Sequence, residues 1–241
     1  MLVAHRGFRS PKGENCMEDF IQALKTCSAV EFDIRLTKDK QLIIFHDHNF
    51  KRIGNTDKLV RDLTYNEILE LDFFKENPRW MPPRFVEEFI FGIAYMYDFI
   101  NVEIKAGNYK EEDYGIIYAA LKILRDKTEA EIVVSSFSRN TLIWISKLDG
   151  ELFKKGYLIE TMSQMDKNLV KRFDYIHPYY GLVKRFKNVH FFTELNMKMN
   201  IWTFKENYQA IEVINLYPRE LLNGFISDNP SLEINYGAKE I

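Results

Sequence analysis

Cysteine is scarce in this chain, which has only Cys16 and Cys27 among its 241 residues. A disulfide framework is thereby excluded as the main source of stability. The expectation is two buried, reduced thiols, because Cys16, Phe20, Ala23, Leu24 and Cys27 share one face of a helix-like segment spanning 15–27. Long apolar runs are also absent. The richest, Phe89 to Ile100, is cut by Asp98 and reads as a buried helix, well short of the ~20 residues that span a bilayer. Neither charge dominates, since 33 Lys and Arg stand against 35 Asp and Glu. Without a broad basic field, nucleic acid is not an expected partner. The opening MLVAHRG lacks a basic-then-apolar signal region, so export is not expected and a cytoplasmic location is. No stable membrane insertion is expected either. Repeats and low-complexity tracts are missing, and the 7 prolines and 11 glycines are scattered rather than gathered into a linker.

What is present is an ordinary globular balance, 46% hydrophobic and 28% charged, in a chain long enough for one sizeable core. Short apolar runs alternate with helical patterns. Strands are predicted at Leu2–Ala4, Val30–Ile34, Leu42–Phe45, Ile100–Ile104, Ile132–Ser135, Lys155–Ile159, Tyr175–His177, Asn200–Phe204 and Gly224–Ser227. That alternation predicts an α/β fold, a TIM (β/α)8 barrel, as a single domain over 1–241. Two features fit badly. The predicted strands outnumber the eight of a barrel, and the interval from Asp33 to Leu42 is too short for a helical crossover. The stretch 49–80, after the third strand, reads as an elaborated active-site loop too short to bury a core of its own. Helical patterns lie near Thr64–Leu71 and Pro83–Tyr97.

Polar residues gather at predicted strand ends, where a parallel barrel builds its site. The first strand ends in His5-Arg6-Gly7, a histidine, a cation whose planar fork suits phosphate oxygens, and a residue that permits a sharp turn. Glu31 and Asp33 alternate with apolar Val30, Phe32 and Ile34, so both carboxylates face one side of a strand. Two such like charges need a cation, and a hard divalent ion prefers oxygen ligands. His46-Asp47 closes another strand, and two histidines suit base and acid work on opposite sides of a phosphorus. His48 is expected to turn away. Glu103 and Lys105 share a face of a later strand, which adds a third carboxylate and a second cation. His177 and His190 read as structural, whereas Trp202 suits either a substrate wall or barrel packing.

Taken in order, HRG, the following EN, ExD with LTKD, FHD and ExK resemble the glycerophosphodiester phosphodiesterase family. The resemblance extends to Ser135-Ser136-Phe137, Ile201-Trp202-Thr203 and the closing Ile226 to Pro230. It implies Glu31, Asp33 and Glu103 as ligands of one divalent cation, Mg²⁺ or Ca²⁺. It further implies His5 and His46 as the acid-base pair, Arg6 and Lys105 on the phosphate charge, and Glu14 in the shell of the site. The implied reaction converts a small-molecule glycerophosphodiester to glycerol 3-phosphate and an alcohol, through a cyclic phosphate made by a vicinal hydroxyl. The chain departs from the family pattern at Gly13 for a common Pro, at Cys16 for Thr and at Lys205 for Asn, none of them a proposed ligand. Two alternatives stand beside this reading. A lysophospholipid-cleaving enzyme of the same barrel type would use Phe73, Phe74 and Trp80 along an acyl groove, and an idle barrel would only bind a phosphorylated ligand.

Overall fold

The structure is a computed structural model, and it describes residues 1–236. Its strands are β1 (Leu2–His5), β2 (Ala29–Leu36), β3 (Leu42–Ile44), β4 (Phe99–Ile104), β5 (Glu131–Ser136), β6 (Lys154–Ile159), β7 (Tyr175–Pro178), β8 (Lys198–Phe204) and β9 (Leu222–Ser227). The helices are α1 (Met17–Ala23), α2 (Tyr65–Leu69), α3 (Asp72–Glu76), α4 (Glu111–Lys127), α5 (Arg139–Ile145), α6 (Tyr180–Val183), α7 (Phe186–Leu195) and α8 (Asn207–Leu216). The sheet order β1-β9-β8-β7-β6-β5-β4-β2-β3, with β1 also paired to β2, closes a ring of parallel strands. This is a TIM barrel.

The surplus strand is β3. It pairs antiparallel with β2, Ile34 opposite Ile44, and lies outside the ring. The interval from Asp33 to Leu42 is therefore a tight hairpin return, which needs no helical crossover. The stretch 49–80 does follow the third strand of the chain, but that strand is β2's hairpin partner.

Strand alternation separates two environments. Val30, Phe32, Ile34 and Leu36 on β2, with Ile100, Val102 and Ile104 on β4, face outward into the main core shared with the helices. Their neighbours point into the lumen. There Val3, Ala29, Phe99, Val133, Tyr175 and Ile226 form an apolar plug below the mouth. The next lumen positions upward are His5, Glu31 and Asn101, aligned in register, and then Asp33 beside Glu103. The plug closes the barrel floor, so the polar layer is open only at the carboxyl ends of the strands.

Three local expectations change. The helix predicted from Asn15 begins at Met17, because Asn15 is left-handed (φ 57°) and its side chain turns to Asp33. The run from Phe89 to Ile100 is divided. A π turn over Phe85–Ile90 and a 3₁₀ turn over Ala94–Met96 precede β4, which already contains Phe99 and Ile100. Lastly, 49–80 does gather apolar packing of its own, with Phe50, Ile53, Val60, Leu63, Ile68 and Phe74 closing on Ile43 and Phe45. Within it α2 starts in a capping box, since Thr64 Oγ1 accepts from the Glu67 amide and Glu67 Oε2 accepts from the Thr64 amide. Thr64→Ala is expected to lower unfolding free energy by about 1 kcal/mol in urea titration. Among the described residues, no helix is long and apolar enough to cross a membrane.

Candidate active site

At the open end of the barrel lies a cavity of about 410 Å³, lined by His5, Arg6, Glu31, His46, Glu103, Lys105 and Trp202, among others. Asp33 is fully buried, with Arg6 and Lys105 of that lining against its carboxylate. The residues singled out from the sequence therefore meet in one place, with Glu14 just behind them.

His5 ends β1, and its Nδ1 lies 2.5 Å from Asp228 Oδ1, just past β9. After it the chain turns through left-handed Arg6 (φ 53°) and Gly7 (φ 76°). A Cβ on Gly7 would come within 2.9 Å of Asp19, so the turn needs glycine for space as well as for its backbone angle. The turn aims Arg6 inward, where Nη1 donates to Glu14 at 2.8 Å and Nε lies 3.2 Å from Asp33 Oδ2.

His46 arrives by a different route from the one its position in the sequence implied. Antiparallel β3 returns along β2, and the Phe45 amide bonds the Asp33 carbonyl at 2.9 Å. His46 is thus set down beside the β2 carboxylates. Its Nδ1 lies 2.7 Å from Asp47 Oδ1, and Asp47 Oδ2 accepts from Arg52 at 2.7 Å. Each histidine has its Nδ1 on a carboxylate. That arrangement fixes the ring and leaves Nε2 for chemistry.

Oxygens of Glu31, Asp33 and Glu103 lie within 4.8 Å of one another, all buried. Among the described residues, Glu31 Oε2, Asp33 Oδ1 and Glu103 Oε1 have no aligned hydrogen-bond partner. Lys105 Nζ approaches two of them as an ion pair, at 2.7 Å from Glu103 Oε1 and 3.3 Å from Asp33 Oδ1. Burial, together with Asp33 and Glu103, pushes the Glu31 carboxyl well above its usual range. Glu103 is raised by burial too, against the pull of Lys105. Burial works the same way on Asp33, yet Lys105 and Arg6 hold it well below its usual range. One lysine and one arginine do not satisfy three buried carboxylates. The donor set is all oxygen, which fits a hard divalent cation.

Glu14 has no place in that triad. It is clamped by Arg6, by Arg9 Nε at 2.9 Å and by both terminal nitrogens of Arg52 at 2.7 Å. Although burial opposes it, Arg52, Arg6 and Arg9 lower its pKa to about 2. Arg52 comes from 49–80, so this stretch supplies a side chain to the support of the site.

Trp202 lines the cavity, donates Nε1 to the His177 carbonyl at 2.9 Å, and packs edge-on against Phe137 and at a tilt against Tyr179. His48 lines the neighbouring cavity instead. His177 is fully buried with its pKa lowered by burial to about 3, and its Nε2 accepts from Asn200; His190 is an exposed partner of Glu194. Neither lines the cavity that holds His5 and His46. Phe74 is fully buried and half-buried Phe73 packs edge-on against it, whereas Trp80 lines a neighbouring cavity with Arg9, Glu14 and Asp228.

Sequence reasoning missed Asp228, Asp47, Arg52 and Asn15. Asp228 and Asp47 stood inside the quoted motifs, and Asn15 in the EN pair, without a role. Arg52 had no local signal, because its partners lie in distant segments.

The glycerophosphoryl diester phosphodiesterase family model matches residues 5–232. A glycerophosphodiester phosphodiesterase of Caldanaerobacter subterraneus is 26% identical over 242 residues, 98% of this chain and 96% of that protein. Among solved structures, the Thermotoga maritima glycerophosphodiester phosphodiesterase superposes with TM-score 0.72 at 24% identity, covering 95% of this chain and 94% of that one. An Oleispira antarctica phosphodiesterase, in complex with the product sn-glycerol-3-phosphate, gives TM-score 0.77 at 21% identity over 95% and 93%. With its barrel, its polar mouth and a family match across nearly all of its length, this chain belongs to the glycerophosphoryl diester phosphodiesterase family.

Proposed function

We propose that this protein hydrolyses glycerophosphodiesters to glycerol 3-phosphate and an alcohol, with His5 and His46 as the acid-base pair. The observation that carries the reading is the pairing of two carboxylate-braced histidines with a buried Glu31–Asp33–Glu103 triad around one cavity. The product bound by the Oleispira relative supports the substrate class.

Glu31, Asp33 and Glu103 would hold the divalent cation, which when bound supplies Lewis-acid charge to the phosphodiester. Arg6 and Lys105 reach the same cavity and offset negative charge that builds on the phosphoryl oxygens. One histidine takes the proton of a glycerol hydroxyl as its oxygen attacks phosphorus. The bond to the departing alcohol breaks, and the other histidine protonates that oxygen. Water then opens the cyclic phosphate to glycerol 3-phosphate. Trp202, with Phe137 against its edge, gives the bound diester an apolar wall.

The test is release of glycerol 3-phosphate from glycerophosphocholine and glycerophosphoethanolamine. Release is expected with Mg²⁺ or Ca²⁺, and at least a tenfold loss with EDTA, restored by readdition. Undiminished turnover in EDTA would remove the metal from the reading, and failure on both diesters with either ion would remove the substrate class. Asp33→Ala and Glu31→Ala are expected chiefly to weaken metal binding, read by calorimetry.

A further inference from the structure

Glu31 and Asp33 are two members of a row on β2 whose next member, by strand alternation, is Arg35. A guanidinium at that position stands at the top of the same strand, above the carboxylates. Among the described residues, every hydrogen bond it donates goes to a backbone carbonyl. Nε and Nη2 reach the His46 carbonyl at 2.9 and 2.8 Å, and Nη1 reaches the Ala106 carbonyl at 3.1 Å.

Those two carbonyls are not ordinary positions. One belongs to His46, which has already left β3 and has no strand ladder to hold it. The other belongs to Ala106, next to Lys105 and two residues past the end of β4. Both segments are single chains leaving the sheet, where backbone groups lose their regular partners. A planar fork can engage two acceptors at a fixed separation, which an ammonium cannot. We propose that Arg35 is a positioning residue that ties the His46 and Lys105 segments into one frame, so that proton transfer and phosphate-charge stabilisation act on the same phosphorus. This inference rests on the reaction proposed above for its kinetic consequence, but not for its structural one.

Arg35→Ala is expected to lower kcat roughly 10- to 100-fold, the scale of misplacing a reacting group by about an ångström, with KM for glycerophosphocholine changed less than about threefold. Arg35→Lys should recover only part of the loss, and sub-denaturing guanidinium added to Arg35→Ala should raise kcat several-fold. The protein has 5 histidines, so ring resonances can be followed individually by NMR. In both variants the His46 signals are expected to broaden or shift while those of His177 and His190 stay fixed. Wild-type kcat in Arg35→Ala, full activity in Arg35→Lys, a loss carried wholly by KM, or unchanged His46 resonances would each overturn the inference. The NMR measurement reads placement without any substrate. A failed substrate assignment therefore shows as an inactive wild type with His46 still responding, whereas a failed role for Arg35 shows as a silent His46.

Discussion

Alanine at His5 or at His46 is expected to lower kcat for glycerophosphodiester hydrolysis roughly 10²–10⁴-fold, the usual contribution of a positioned acid or base. The fold should persist, because neither imidazole belongs to the apolar clusters and each is braced at the cavity wall by one carboxylate. Wild-type circular dichroism with lost turnover is the expected pair of results. The braces predict a graded series. Asp228→Asn and Asp47→Asn keep a polar neighbour at Nδ1 but remove its charge, so each should lose less than the matching histidine variant. The double variant His5→Ala/His46→Ala should lose far less than the product of the single losses, because the two groups act in one step. Full activity in either single variant would end the acid-base assignment for that residue.

Glu14→Gln is expected to cost on the order of 3 kcal/mol in unfolding free energy near neutral pH. Three arginines converge on this carboxylate, and its pKa falls from 4.5 to about 2 in the fold. A shift of that size, at ~1.4 kcal/mol per unit, sets the magnitude. Because the folded pKa is depressed, the stabilisation is fully present above the unfolded value near 4.5. It fades as pH falls from 4.5 toward 2, where folded Glu14 takes up its proton. Urea titrations of the two proteins should therefore differ most at pH 7 and converge near pH 2. An offset that is the same at both ends of that range would show that Glu14 contributes through packing and not through charge.

The support around Glu14 also shows where sequence reading stops. Glu14, Arg6 and Arg9 lie in one short segment, but Arg52 comes from 49–80, and nothing in its neighbourhood announces a partner 38 positions away. His46 is similar. Its chemical type and its FHD setting were legible, whereas the antiparallel return that carries it to Asp33 was not, because a hairpin and a parallel strand share the same short apolar pattern. The short interval before Leu42 carried the only hint.

From the sequence alone came the barrel, most of its strands and the identity of the polar residues at their ends. Period-two alternation decides which side chains share a face, and that information is local. It placed Glu31 with Asp33 and Glu103 with Lys105 before any contact was known. Tertiary structure alone decided that β3 lies outside the ring, that Asp228 and Asp47 brace the histidines, and that Arg35 links two loops. Those relations depend on ring closure, which brings His5 within 2.5 Å of a residue 223 positions away. No window of sequence contains such a distance, since only the closed sheet fixes it.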